Sequence, residues 1–147
     1  MRKELQNTFN RKFYTVEYRE DLDIIDTLWY GYASASDLKK ACEIGLEVLE
    51  ATHCPFKLND NTQLSGPWSE SVKWLEHEWL PKAMQAGVRF LAHVAMPDSF
   101  GEEAGEVMRI SKIGQELQYK VFSSREDALV WLKACQYDYK VVMGRID

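Results

Sequence analysis

A nearly unbroken apolar run over residues 88–96 constrains the fold of this chain more than any other feature. Strands that helices cover on both faces read as continuous apolar runs, whereas strands with one wet face alternate between apolar and polar residues. Helical patterns both precede and follow this run. The run therefore predicts a central strand of a parallel sheet, with crossover helices packed around it.

Other segments provide the remaining strands of this predicted sheet. Residues 13–18 and 23–30 are rich in β-branched and aromatic residues, and the short polar stretch between them predicts a β-hairpin. Residues 55–59 form a short strand candidate, and residues 117–122 alternate at period two, which favours a strand nearer the sheet edge. A short terminal strand is predicted over residues 139–143.

Amphipathic helical patterns alternate with these strands, and polar residues mark where the helices begin. Ser36 is the predicted cap of the first helix, which would start at the following residue. Either Asp98 or Ser99 is predicted to cap the third helix. Ser123 and Glu126 have the spacing of a capping box for the last helix.

The second helix has the most regular pattern in the chain. Pro81 interrupts this pattern and predicts a kink or a break. Trp74 lies off the apolar stripe, so we expect an exposed side chain that marks a contact surface for a partner or a second copy of the chain. The stripe itself consists of Trp68, Val72, Leu75 and Trp79.

The order of these elements predicts the fold class. It is an α/β fold with a mixed, mostly parallel sheet of about five strands, in which an N-terminal hairpin precedes alternating helices and strands. The length of 147 residues suits one domain, and no linker divides the chain. We therefore predict a single domain over residues 1–147, with its core at about residues 13–135.

Charge and cysteine usage exclude several classes of partner. The net charge of −5 and the scattered basic residues provide no stripe that would neutralise a nucleic-acid backbone. Neither a membrane span nor a signal peptide is evident. Three cysteines without a CxxC pair suit reduced thiols, so we expect a cytoplasmic protein.

The sequence contains no catalytic signature. The patterns GxxxxGKS/T, GxGxxG, HExxH and GxSxG are all missing, and the three histidines lack metal-ligand spacing. We therefore expect no enzyme activity, no metal and no cofactor. His93 lies inside the apolar run, where a hydrogen-bonded core histidine is the favoured interpretation over a ligand. For Cys54, a buried thiol is favoured over a reactive one.

Residues 59–66 are the most informative segment for function, because they are predicted to form a loop from a strand to the second helix. Ligands of parallel α/β sheets bind beyond the carboxyl ends of the strands, and a helix N-terminus favours anions. An alternative is that these residues make turns and that Ser65 only caps the helix. The candidate binding or phosphoacceptor residues are Asp60, Asn61, Thr62, Ser65 and Gly66.

The order of elements and the strand, loop, Ser-Gly and helix step resemble the SpoIIAA-like (STAS) fold, which includes anti-sigma-factor antagonists and SEC14-like lipid-binding relatives. The resemblance covers about residues 13–135 and is closest to small uncharacterised bacterial STAS-like proteins of Bacteroidetes. It implies that Asp60 and Ser65 match the aspartate and the phosphoacceptor serine of the antagonists, with Thr62 as a second hydroxyl. The motifs that carry it are Asn59-Asp60-Asn61, Gly66-x-Trp68, Trp74-Leu75, Trp79-x-Pro81, Gly87 and Glu126-x-Ala128-x-x-Trp131-Leu132.

Two hypotheses for function follow. The first is a non-enzymatic regulatory or protein-interaction module of STAS-like type, which meets a protein partner or a second copy of itself and is switched by phosphorylation at a helix N-terminus. The second is a small-molecule or lipid carrier that binds its ligand between the Trp-bearing helix and the sheet. The carrier hypothesis predicts a mostly apolar cavity with a few polar groups.

Overall fold

Six strands form one sheet, and their order in the sheet is their order in the chain. The structure is a computed structural model, and it describes residues 1–144. The strands are β1 (Arg2–Gln6), β2 (Lys12–Arg19), β3 (Ile24–Gly31), β4 (Phe56–Leu64), β5 (Phe90–Val94) and β6 (Gln118–Phe122).

The sheet is mixed and mostly parallel, as predicted. The pairs β1–β2 and β2–β3 are antiparallel, whereas β3–β4, β4–β5 and β5–β6 are parallel. The predicted hairpin is β2–β3, and β6 lies at the sheet edge as its alternation indicated. The sequence analysis did not predict β1, because its charged residues form no apolar run. In this strand Lys3 and Leu5 are half-buried and the other residues are exposed.

Helices cover both faces of the sheet. Helices α1 (Ala35–Thr52), α3 (Leu80–Ala86) and α4 (Phe100–Ile110) lie over one face, and α6 (Arg125–Val142) lies over the other. A 3₁₀ turn (Ser69–Ser71) precedes α2 (Val72–Trp74), and a π turn (Leu75–Trp79) joins α2 to α3; we call residues 69–86 the composite helix. A further short helix is α5 (Lys112–Glu116).

Two helices begin at different residues from those predicted. The cap of α1 is Ser34 rather than Ser36, because Ser34 and Asp37 form a reciprocal capping box that requires a spacing of three residues. The cap of α6 is Ser124 rather than Ser123, and its hydroxyl accepts the backbone N–H of Asp127. In both cases neighbouring serines made the choice ambiguous in sequence.

The predicted terminal strand over residues 139–143 is wrong, because α6 continues as a helix to Val142. The Tyr139 ring packs edge-on against Phe56 and Phe90, with ring centroids 5.6 Å apart in each pair. Packing of the helix against the sheet therefore outweighs the strand preference of these residues.

The composite helix accommodates Pro81 without a break. A π turn immediately precedes the proline, and the N–H of Leu80 donates to the carbonyl of Leu75, five residues back. A proline ring crowds the preceding helical turn, and proline has no backbone N–H to donate. The wider π turn suits such a position. The four residues of the predicted stripe are all buried, which confirms that face of the helix.

Candidate functional site

A cavity of about 50 Å³ lies between the helices and the sheet face that α1, the composite helix and α4 cover, which we call the cavity face. These three elements and the strands contribute equally to the wall, and the residues that the helices supply are mostly apolar. The sheet supplies the polar part of the wall. Its polar lining residues are Tyr14, Thr27, Lys57 and Asn59.

The alternation of β3 and β4 places these polar residues on the cavity face. Thr27 pairs with Asn59 in the parallel register, and side chains two residues apart on a strand share a face, so Lys57 and Trp29 join them. Gly45 on α1 makes room for the Tyr14 hydroxyl, which would lie 2.5 Å from a Cβ at that position. A missing side chain on the helix thus helps to shape the cavity.

Lys57 is the most unusual group in the cavity wall. Its residue is only 7% exposed, and its ammonium donates to the Thr27 hydroxyl over 2.6 Å. Within residues 1–144, no carboxylate forms an ion pair with it. Burial lowers the pKa of Lys57 to about 8. An ammonium has three donors, so two of them lack a protein acceptor in the described chain.

Two indoles of the cavity wall differ in their hydrogen bonds. Trp29 Nε1 donates to Asn59 Oδ1 over 2.9 Å. Trp68 Nε1 is buried without a partner among the described residues. The other buried side-chain atom without a partner among the described residues is an acceptor, Asn61 Oδ1, which does not line the cavity. The unmatched groups of the wall are therefore the donors of Lys57 and Trp68, which favours a ligand that supplies acceptors.

His93 lies beside the cavity and is a hydrogen-bonded core histidine, as predicted. Its Nε2 is 2.8 Å from the carbonyl of Gly101, and its Nδ1 is 3.2 Å from the amide nitrogen of Asn61 and 3.4 Å from that of Asn59. The first contact requires the ring to donate and the other two require it to accept. Burial lowers the pKa of His93 to about 4, so the ring is neutral at pH 7.

The glycines of α4 bring this helix close to His93. A Cβ at Gly105 would lie 2.5 Å from His93 Cδ2, and a Cβ at Gly101 would lie 3.1 Å from Asn61 Cβ. Glycine weakens a helix, so packing against the sheet explains both residues. Ser99, one of the two predicted caps, accepts the N–H of Glu102 and begins this helix.

The opposite sheet face, which we call the α6 face, buries a different set of charges. Arg125 forms two hydrogen bonds with Asp26, at 3.1 and 2.8 Å, and one with Asp60 at 3.0 Å. Arg19 also lies 3.6 Å from Asp26. Both aspartates are almost fully buried, so we call Asp26, Asp60 and Arg125 the Arg125 cluster. Together with Arg19, the cluster has two cations beside two carboxylates, so these charges are matched within the protein.

The expectation that residues 59–66 form a loop is wrong, because β4 continues to Leu64. A bulge in the pairing with β3 adds one residue to β4, and pairing then resumes at Gln63 and Leu64. Asp60 and Asn61 are consequently buried, on opposite faces of the sheet. The polar residues of this segment, which are typical of turns, lie here in an irregular strand. Their residue types alone cannot distinguish such a strand from a loop.

The other predicted site residues take different positions. Thr62 donates its hydroxyl and its N–H to Asp60 Oδ1. Ser65 is exposed and its N–H donates to the carbonyl of Gly31, but it does not cap a helix, since the first helical turn begins only at Ser69. Gly66 has a left-handed φ of 99° and faces the Tyr32 ring. The structure does not bring Asp60 and Ser65 together at one exposed rim.

Trp74 is half-buried rather than fully exposed, and the Lys39 ammonium lies over its ring at 5.7 Å. Its role as a contact residue stays a prediction. Cys54 is buried, as predicted, and burial raises the pKa of its thiol to about 12. Neither residue lines the cavity.

Sequence reasoning missed Lys57 as a site residue. In the segment 55–59, Phe56 and Leu58 alternate with Lys57 and Asn59, so the alternation itself places Lys57 opposite the apolar pair. That pattern ordinarily marks a solvent-facing side chain. Helices cover both faces here, which buries the lysine and makes it part of a cavity.

The comparisons with known proteins bear on the fold. No protein family matches the sequence, and no curated protein matches it. A solved structure does match: that of an uncharacterized protein from the DUF3478 family with a SpoIIAA-like fold, from Shewanella loihica PV-4. It is 16% identical, the match covers 82% of this chain and 94% of that chain, and the TM-score is 0.53.

The chain therefore has a SpoIIAA-like α/β fold, as the order of elements indicated. The solved relative is itself uncharacterized, so the match shows the fold and leaves the function to the site. Among residues 1–144, no helix is both long and apolar enough to cross a membrane. The same residues contain no cluster of side chains suited to hold a metal ion.

Proposed function

We propose that this protein binds a small, mostly apolar molecule in the cavity on the cavity face. The observation that carries the proposal is an apolar cavity whose wall holds two buried polar groups, Lys57 and Trp68, with donors that no described residue satisfies. Ligand sites are typically concave and apolar, with a few polar groups that orient the ligand. This is the second of the two hypotheses drawn from the sequence.

The size of the cavity limits the ligand. A volume of about 50 Å³ holds roughly three to five water-sized groups, since each needs on the order of 10–15 Å³. A whole lipid exceeds this volume several-fold. We therefore narrow the carrier hypothesis to a small molecule.

The groups near the cavity favour binding over turnover. Burial raises the pKa of the Cys42 thiol to about 12, so it stays a thiol at pH 7 and is a poor nucleophile. His93 uses both ring nitrogens in hydrogen bonds with the protein. We accordingly propose a non-enzymatic carrier or sensor.

Native mass spectrometry of the protein purified from its own cells tests this proposal. We expect an added mass of a small molecule on the wild-type chain. In Cys42→Leu, a larger side chain fills the cavity, and we expect the added mass to disappear. Cys135→Leu is the matched control, because Cys135 is half-buried outside the cavity wall, and it should keep the ligand.

A bare wild-type chain, combined with no rise in melting temperature across a library of small apolar compounds, would contradict the proposal. Retention of the ligand by Cys42→Leu would place the ligand elsewhere on the protein. Melting curves of both variants check that each remains folded.

One observation supports the regulatory module as a second candidate function. Ser65 is exposed, so a kinase could reach its hydroxyl, and phosphorylation would add roughly −1.5 to −2 charges there. A pull-down that compares Ser65→Ala with Ser65→Asp tests this function, and we expect the two variants to retain different partners. Identical partner sets would count against it.

A further inference from the structure

We propose that the ligand of this cavity is a small monocarboxylate of roughly two or three carbons, whose carboxylate binds the Lys57 ammonium and whose short tail contacts the apolar part of the cavity. This inference rests on the proposed binding function and names its ligand class. It depends on three features of the cavity: an unmatched charge, unmatched donors and limited volume.

The first feature is the charge of Lys57. Among the described residues, the buried Asp, Glu, Lys and Arg side chains are Asp26, Asp60 and Lys57. The two aspartates share Arg125, and Asp26 also lies near Arg19, whereas the hydrogen-bond partner of Lys57 within residues 1–144 is the neutral hydroxyl of Thr27. A buried charge is costly unless an opposite charge lies beside it. An anion in the cavity would supply that charge.

The second feature is the set of donors that lack acceptors. The Lys57 ammonium has two N–H groups beyond the one that Thr27 accepts, and the Trp68 indole adds a third donor to the same cavity. The amide oxygen of Asn59 already accepts from Trp29. A carboxylate offers two oxygens with about four acceptor positions, whereas an alcohol or amine would bring further donors.

The third feature is the volume, which excludes larger anions. Roughly three to five water-sized groups accommodate one carboxylate, which has three non-hydrogen atoms, and a tail of about one or two carbons. A phosphate monoester carries up to two negative charges, and the cavity wall offers one cation. The apolar groups against which the tail would pack are Leu38, Leu75, Trp79, Leu91 and Met108.

Isothermal titration calorimetry at pH 7 with propanoate, 1-propanol and propylamine tests the inference on the wild-type protein. The three probes have matched tails and differ in the head group. We expect propanoate to bind at least tenfold more tightly than propanol and propylamine not to bind. This comparison needs no variant, so it holds even if a substitution prevents folding.

Lys57→Met then assigns the selectivity to one residue. We expect the variant to bind propanoate at least tenfold more weakly than the wild type, with its affinity for propanol unchanged. Lys40→Met is the control, because Lys40 is exposed on α1 and does not line the cavity, and it should behave as the wild type.

The possible failures are distinguishable. If propanol binds the wild type as tightly as propanoate, the carboxylate inference is wrong and the proposed binding function stands. If none of the three probes binds the wild type, the inference is also wrong, and the native mass spectrum alone decides the binding function. Unchanged propanoate affinity in Lys57→Met would overturn the assignment to this lysine.

Discussion

The two faces of the sheet bury charge in opposite ways. On the α6 face, Asp26 and Asp60 share the guanidinium of Arg125, and Arg19 lies 3.6 Å from Asp26, so two cations match two carboxylates inside the protein. On the cavity face, Lys57 has a neutral hydroxyl as its hydrogen-bond partner and lies in an apolar cavity. A cluster of matched charges is accounted for by its role in stabilising the fold. An unmatched buried charge instead favours a bound ligand of opposite charge.

One strand supplies both arrangements. Lys57 and Asp60 lie three residues apart on β4, and an odd spacing on a strand places side chains on opposite faces. The strand thus joins the cavity to the cluster that fastens the start of α6 to the sheet. The comparison can be tested by removing charge from each face in turn.

The largest effect is expected on the α6 face. Arg125→Met removes the guanidinium that two buried carboxylates share and leaves Arg19 beside Asp26, so it should lower the free energy of unfolding by about 3 kcal/mol, at the low end of such losses because Arg125 is also one-third exposed. Urea unfolding at pH 7 measures the loss. Lys133→Met, on an exposed position of the same helix, should change it by less than about 0.5 kcal/mol. A similar loss in both variants would refute the role of the cluster.

On the cavity face, a change in pH is expected to alter the free energy of unfolding by nearly as much. The pKa of Lys57 is about 8 when folded, below its ordinary value of 10.5, so the unfolded chain holds the proton at pH values where the folded chain has lost it. The stability of the wild type relative to Lys57→Met should therefore rise from pH 7 to pH 10.5, by about 3 kcal/mol.

This difference isolates Lys57 from its ionisable neighbours. Tyr14, Cys42 and Asp26 influence or lie near the ammonium, but all three are present in both proteins, so their own titration largely cancels. Urea unfolding of both proteins at several pH values gives the difference. A difference that stays constant with pH would mean that the ammonium is as well solvated when folded as when unfolded.

A smaller effect is expected from the close packing of α4 on the cavity face. Gly105→Ala places a methyl group against the His93 ring, and we expect a loss of about 2 kcal/mol even though alanine favours helices. Thermal unfolding compares it with Glu106→Ala, an exposed neighbour that should change little. A more stable Gly105→Ala protein would show that the helix can move away from the sheet.

The smallest effect on stability is expected from Lys57→Met at pH 7 in the ligand-free protein. Replacing an unmatched buried charge by an apolar side chain of similar length should change the free energy of unfolding by less than about 1 kcal/mol, or raise it. The contrast with Arg125→Met sharpens the comparison between the two faces. A loss as large as that of Arg125→Met would show that Lys57 has a structural partner after all.

Much of the fold could be predicted from local patterns. The apolar run that became β5, the hairpin and the buried stripe of the composite helix each depend on residues close in sequence, and the structure confirms them. The errors lie at segments where neighbours in space decide. Residues 60–64 became strand by pairing with β3, and residues 139–142 stayed helical by packing on the sheet.

The candidate site could not be predicted in the same way. Sequence placed it at Asp60 and Ser65, but Asp60 belongs to a cluster with Arg125, 65 residues away in the chain. Lys57 was overlooked because alternation in a strand predicts which side chains share a face of the sheet. It does not predict whether helices cover that face. Only the packing of three helices over the cavity face makes this lysine a buried group.

By itself the sequence determined the kinds of elements and their order, because hydrophobic periodicity and capping act over a few residues. The tertiary structure alone decided which charges are matched and where a cavity remains, because both depend on contacts between residues far apart in the chain. Asp60 and Lys57 are both charged residues on one strand. Their different neighbours on the two faces of the sheet give them different roles.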